Sequence, residues 1–422
     1  MSIQRHENGK TALVLAGGGL TGAVYEIGAL RAVDDLLVDR TVNDFDIYVG
    51  TSAGALVASG LASGISPENL LQALDGSHPE IKPIKLQDIF ALNRRDFLKH
   101  SLSLPGLLVN AGGQYLRNLG DMSLVDLLWS LTDALPAGLY NSMALERYLR
   151  RALSSGNYTN RFDDLPKELY IIATDLDTGK RAVFGPGVHQ TTSISMAVAA
   201  SSALPLVYTP VRIGDRDYVD GGLRGNASLD IAIEHGATLI LCINPMVPFD
   251  NQEQRSIPQK GLKGGPLSEK GLQAVASQVT RIASHANLHY HIKQLSRRHP
   301  EVDIILIEPR PDDQRMFFYN IMRYSVRLAV ARHGFETVTL DLAEDFQTYK
   351  QILARHRIPI SRRLVIQELA EIRESGYDPQ VIRSVLEARS SGCGQQNRDA
   401  PQCKLTRALA ELDMLLEQIA LE

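Results

Sequence analysis

Residues 12–30 read ALVLAGGGLTGAVYEIGAL, and residues 45–54 read FDIYVGTSAG. Each is an apolar run that ends in a glycine-rich turn and continues into a helical pattern. Two such units in succession argue for a parallel sheet with right-handed crossovers. They place both turns at C-terminal strand ends, the edge where open α/β sheets put their sites. Gly17, Gly19 and Gly22 fit G-x-G-x-x-G, but a dinucleotide fold also needs an acidic residue at the end of its second strand. Here Asp46 stands at the start of that strand, and its end carries G-x-S-x-G, from Gly50 to Gly54. The nucleotide reading lacks its second half, and serine chemistry supplies one.

A chain of 422 residues can form one large domain plus an appendage. With 44% hydrophobic and 22% charged residues it has ordinary globular composition, and a net charge of −4 gives no reason to expect nucleic acid as a partner. No charged-then-apolar leader precedes the first strand, and no run reaches the ~18 apolar residues of a spanning helix. The expectation is a cytoplasmic protein with at most peripheral membrane contact. Cys242, Cys393 and Cys403 form neither a disulfide framework nor a metal cluster, which fits a reducing compartment.

Further along, residues 66–160 read as a helical insertion whose leucine-rich segments surround Trp129, the single tryptophan. Leucines at helical spacing are usually core, and here they also suit the wall of an acyl-chain pocket or a face turned to lipid. A strand pair is expected near 168–175 and 180–184, then a helix ending before Pro205, the edge hairpin VRIGDRDYVDGG at 211–222, a helix near 226–235 and a buried strand near 238–243. A polar Gly/Pro-rich loop over 247–271 leads to a long amphipathic helix at 271–297, a strand in VDIILIEP and a helix near 319–334. This divides the chain into a catalytic core at 10–245 containing the insertion, remaining helices and a strand at 246–340, and a helical extension at 341–422.

A serine on a tight strand-to-helix turn has its hydroxyl exposed and tolerates only small neighbours, hence the glycines two before and two after Ser52. It needs a base. His189, His285, His289 and His291 follow it, but none sits in a strand-end loop beside an acid. HANLHYH at 285–291 contains His-x-x-x-His, yet Ala286 stands where a zinc-hydrolase helix needs glutamate, so these read as satisfied or exposed helix histidines. A carboxylate is the other option. Asp220 ends a strand, and Gly221 and Gly222 behind it leave the carboxylate unobstructed.

Four ordered segments carry a resemblance: GGGLTG at 17–22, GTSAG at 50–54, ASSALP at 200–205 and DGG at 220–222. The chain resembles the patatin-like phospholipases over about residues 10–245. That resemblance implies a three-layer α/β/α fold with a mainly parallel central sheet, followed here by a C-terminal helical extension. It also implies a Ser52–Asp220 dyad, an oxyanion hole from the N–H groups of Gly17, Gly18 and Gly19, and structural support from Gly22, Gly50, Gly54, Gly221 and Gly222. A glycine turn backed by a helix dipole suits any small anion, which is why phosphate and oxyanion turns look alike. The dyad needs no metal and no organic cofactor, and its substrate would be membrane or micellar lipid. The chain departs from the family pattern at Thr21, where Arg or Lys is usual, losing a cation suited to anionic head groups. A soluble carboxylesterase or thioesterase of the same mechanism, and a non-catalytic lipid-binding scaffold, remain open readings.

Overall fold

The computed structural model describes residues 9–93, 136–188, 191–252, 265–313, 316–317 and 324–387. The polar loop over 253–264, the leucine-rich segments over 94–135 with Trp129, and residues 388–422 lie outside them.

The strands alternate in a way that explains the layers. Leu13, Leu15, Tyr48, Leu239, Leu241 and Ile305 point to one face, while Ala12, Val14, Ile47, Val49, Ile240 and Cys242 point to the other, and both faces are buried. Strands without a polar side need helices over both faces of their sheet. The strands are β1 (Lys10–Leu15), β2 (Ile47–Thr51), β3 (Gly138–Tyr140), β4 (Glu168–Asp175), β5 (Arg181–Phe184), β6 (Leu206–Tyr208), β7 (Val211–Ile213), β8 (Arg216–Asp220), β9 (Ala237–Ile243) and β10 (Asp303–Ile307). β10, β9, β1, β2 and β4 run parallel in that order. β5, β7 and β8 are antiparallel additions, and β3, which falls inside the stretch the sequence presents as helical, pairs with β6 in a separate two-stranded sheet.

The helices are α1 (Gly19–Leu36), α2 (Ala53–Ala62), α3 (Pro67–Asp75), α4 (Leu86–Ile89), α5 (Met143–Leu153), α6 (Ile194–Ser201), α7 (Leu229–Glu234), α8 (Leu272–Arg298), α9 (Tyr324–Glu344), α10 (Phe346–Arg355), α11 (Arg363–Glu374) and α12 (Pro379–Glu387). α1, α2 and α9 cover one face of the sheet, and α7 with the inner side of α8 covers the other. α1 and α9 cross so closely that a Cβ on Gly28 would stand 2.0 Å from the carbonyl oxygen of Ala331. α8 buries Leu288 and Leu295 but turns Leu272, Val279 and Ile282 outward.

The extension reads differently in three dimensions. A boundary at 341 would fall inside α9, and Val365, Leu369, Ile372, Ile382 and Leu386 join the same core as α1. Arg31 of α1, fully buried, is the pin. Its guanidinium faces Asp35 one turn on, lies 3.2 Å from Glu368 of α11, and donates to the Val385 carbonyl of α12 at 3.3 Å. Residues 341–387 are therefore part of the core rather than an appendage.

Candidate active site

Strand register brings the two motifs together. Thr51 at the end of β2 is level with Ile172 of β4, and Asp220 at the end of β8 is level with Ala173. β5 pairs with Ile171 through Thr174, occupying one edge of β4. β2 and β8 must then share the opposite edge, with the C-terminal end of β8 meeting the C-terminal end of β2. The residue that follows Thr51 meets the last residue of β8 at this junction.

That residue is Ser52, with φ +54° and ψ −121°. A non-glycine residue in this region costs of order 1–3 kcal/mol and persists only where its surroundings hold it. The surroundings are explicit. Ser52 N–H donates to Ser201 Oγ at 2.8 Å, Ser201 Oγ–H donates to the Ile172 carbonyl at 2.5 Å, and Ser202 Oγ–H donates to the Ser52 carbonyl at 3.2 Å. The two serines of the ASSALP segment thus clamp the elbow from both sides, a role the sequence carries no sign of beyond their small size. At Gly54 any Cβ would lie 2.3 Å from the Leu15 carbonyl oxygen, so the turn closes only with glycine there. Gly50 faces Ala55, and Gly221 faces the Ile172 carbonyl, at similarly short range.

We expect Ser201→Ala to lower the catalytic rate about 10- to 100-fold while leaving substrate affinity largely unchanged, because it frees a strained turn without touching substrate. Steady-state kinetics on a soluble ester check this. A rate equal to wild type would show that the clamp is dispensable.

Ser52 Oγ–H donates to Asp220 Oδ2 at 2.6 Å, and Gly222 N–H donates to the other oxygen, Oδ1, at 2.8 Å. Both side chains are buried, with Asp220 only 5% exposed. Burial pushes the Asp220 carboxyl up to about 6, against the opposing pull of the Ser52 and Gly222 hydrogen bonds. A carboxylate raised to that point is still ionised at neutral pH yet basic enough to take a proton. Among the described residues no histidine is hydrogen-bonded to Ser52 or Asp220, and His189 lies outside them.

The glycine turn needs one correction. Gly17 N–H already donates to the Asn226 carbonyl at 3.1 Å, so it is not free for an oxyanion. Gly17 serves instead by its lack of a side chain: a Cβ there would lie 2.7 Å from Asn226 Oδ1 and 3.2 Å from Ser52 Cβ. Gly18 caps α1 and Gly19 begins it, so their N–H groups belong to the unpaired first turn of a helix. Thr21 lies in that same turn, and Gly22 continues it by donating to the Gly18 carbonyl.

Fold and site together define a class: an α/β protein whose strained serine elbow faces a carboxylate where a histidine would be usual. The family model described as patatin-like phospholipase matches residues 13–233, and the chain belongs to that family. It is 21% identical over 223 residues to a probable lipid hydrolase of Invertebrate iridescent virus 6, covering 53% of this chain and 63% of that protein. It is 28% identical over 229 residues to a cGAMP-activated phospholipase of Escherichia coli, covering 51% of this chain and 52% of the other. These alignments therefore span between about half and just under two thirds of either relative. The solved structure of VipD from Legionella pneumophila aligns with 99% of this chain and 89% of its own at 14% identity and a TM-score of 0.37. No helix among the described residues is long and apolar enough to cross a membrane.

Proposed function

We propose that this chain is a lipid acyl hydrolase that cleaves fatty acyl esters through Ser52 and Asp220. The observation that carries the reading is the 2.6 Å hydrogen bond from Ser52 Oγ to a buried carboxylate at a strained elbow. Ser52 Oγ attacks the ester carbonyl carbon as its proton passes to Asp220 Oδ2. The N–H groups of Gly18 and Gly19 receive the charge that develops on the carbonyl oxygen, a contribution of ~10²–10³ in rate per donor. Collapse expels the alcohol, which takes the proton from Asp220 and leaves an acyl group on Ser52. Asp220 then deprotonates water, which attacks the acyl-enzyme and releases the fatty acid. The viral relative's name as a probable lipid hydrolase and the bacterial relative's as a phospholipase support the lipid class.

Apolar residues beside the two motifs support a substrate drawn from a lipid surface. Leu204 and Leu206 follow the serine clamp at 45% and 83% exposure, and Leu223 follows the Asp220 turn at 57%. β6, which begins with Leu206, pairs with β3, where Leu139 is also exposed. Leu206 adopts φ +68°, a conformation leucine rarely takes, which presents it outward at a backbone cost. Exposed leucines in this number close to a reactive serine suit transient contact with membrane or micellar lipid.

The test pairs p-nitrophenyl esters of increasing chain length with phospholipid vesicles. Leu206→Glu should cut turnover of vesicle substrate about tenfold or more and leave a short soluble ester within about twofold. Equal loss on both substrates would contradict a lipid-facing role for this edge. A wild type that prefers short monomeric esters, with no rate jump at the critical micelle concentration, would favour a soluble esterase.

A further inference from the structure

His285 and His289 stand one turn apart on α8, with their imidazole rings 4.0 Å apart between centroids and inclined at 40° to each other. Both Nε2 atoms approach the same atom, Glu308 Oε2, at 3.4 Å for His285 and 2.9 Å for His289. The glutamate missing at position 286 thus has a substitute on another element: Glu308 immediately follows β10, 19 residues beyond His289. The three ligand atoms lie within 4.8 Å of one another.

We propose that His285, His289 and Glu308 form a divalent-cation site that takes Zn²⁺. Two imidazoles and one carboxylate are a donor set suited to zinc. Tetrahedral zinc, with Zn–N and Zn–O near 2.0–2.1 Å, holds its ligand atoms about 3.3 Å apart. The two histidine–glutamate separations, 3.4 and 2.9 Å, lie on either side of that value. Both imidazoles converge through Nε2 on one carboxylate oxygen. One cation at the point of convergence satisfies all three groups with both rings neutral.

The carboxylate is also held as a ligand needs to be. Asn244, fully buried at the end of β9, donates from Nδ2 to the other oxygen, Glu308 Oε1, at 2.6 Å, which leaves Oε2 turned to the histidines. Such outer partners orient ligating groups and typically carry 10- to 100-fold in metal affinity. Three protein ligands leave the fourth zinc position for water, and the His289 side chain, 47% exposed, provides an entry path. The site is tied to the glycine turn as well. Asn244 Oδ1 accepts from Asn226 Nδ2 at 2.9 Å, and the Asn226 carbonyl accepts from Gly17 N–H at 3.1 Å. A cation here would hold one end of a polar chain whose other end is the turn beside Ser52. It would have no part in the acyl transfer.

The test is a competition titration of the full chain with Zn²⁺ and a chromophoric chelator, run alongside His289→Ala, Glu308→Gln and Asn244→Ser. His289 lies on the surface, so its alanine variant should fold, and circular dichroism of the zinc-free proteins checks this. We expect wild type to bind at micromolar affinity or tighter, His289→Ala and Glu308→Gln to bind at least tenfold more weakly, and Asn244→Ser to lose 10- to 100-fold. X-ray absorption of the zinc-loaded wild type should show two imidazole nitrogens and carboxylate oxygen around the metal. Wild type that binds no zinc, or that binds no more tightly than His289→Ala, would overturn the proposal. The measurement requires no hydrolase activity, so its outcome is separate from that of the catalytic reading.

Discussion

Ser52→Ala is expected to abolish turnover, with a fall in kcat on the order of 10⁴–10⁶, the scale seen when a hydrolase loses its serine nucleophile. Fluorophosphonate labelling should vanish with it. Alanine keeps the elbow's unfavourable backbone and loses only the hydroxyl, which makes it the cleaner catalytic control. Ser52→Gly separates strain from chemistry. It should be equally inactive yet more stable than Ser52→Ala, because glycine adopts φ near +54° without penalty. The difference should be about 1–2 kcal/mol by thermal or denaturant unfolding. Equal stability of the two variants would mean the elbow stores no strain.

Asp220→Asn removes the proposed base and keeps the shape. The amide oxygen can still accept from Gly222 N–H, and the amide nitrogen can donate to Ser52 Oγ. We expect a loss of about 10³–10⁴ in kcat, since general-base assistance and nucleophile activation are lost together. In wild type the rate should rise with pH and level off above about 6, because Asp220 must be ionised to accept the serine proton. Stability moves the other way. The folded-state value of about 6 lies above the ordinary 3.8, so the folded chain binds more protons than the unfolded chain between these limits. Folding stability attributable to Asp220 is therefore present at acid pH and is lost as pH rises through about 6. A gap of that size between folded and unfolded chain corresponds to about 3 kcal/mol. Asp220→Asn should accordingly unfold at a higher temperature than wild type at pH 8, with the difference closing toward pH 4. A variant less stable than wild type at pH 8 would contradict burial as the cause of the raised value.

The fold was legible where local patterns and tertiary structure agree. Strands buried on both faces, with turns at their C-terminal ends, identify the parallel sheet from residues 12–54 alone, and the edge hairpin ending at Asp220 forms as its sequence suggests. Ser52 and Asp220, 168 residues apart, could be paired in advance only through the motif resemblance, because spacing along a chain carries no information on which strands meet along the edge of β4. Three features were hidden for related reasons. Ser201 reads as one more small residue until its hydroxyl is seen bridging Ser52 and Ile172. Gly17 resembles its two neighbours in sequence, but its N–H is taken by Asn226. The role of Arg31 depends on Glu368 and Val385, more than 330 residues away, so the tail looks detached until the helices pack. Glu308 belongs with these: a local search for a zinc motif looks one residue beyond His285, whereas the carboxylate stands at the next strand's end.

Whether Ser52 is activated by Asp220 and by no other base is decided by the rate of fluorophosphonate labelling from pH 4 to 8 in wild type and Asp220→Asn, with the modified peptide mapped by mass spectrometry. We expect a single adduct on Ser52, a rate that rises with an inflection near pH 6, and labelling at least about a thousandfold slower in Asp220→Asn. An adduct on another residue, or a rate on Ser52 that is unaffected by Asp220→Asn, would contradict activation by this carboxylate.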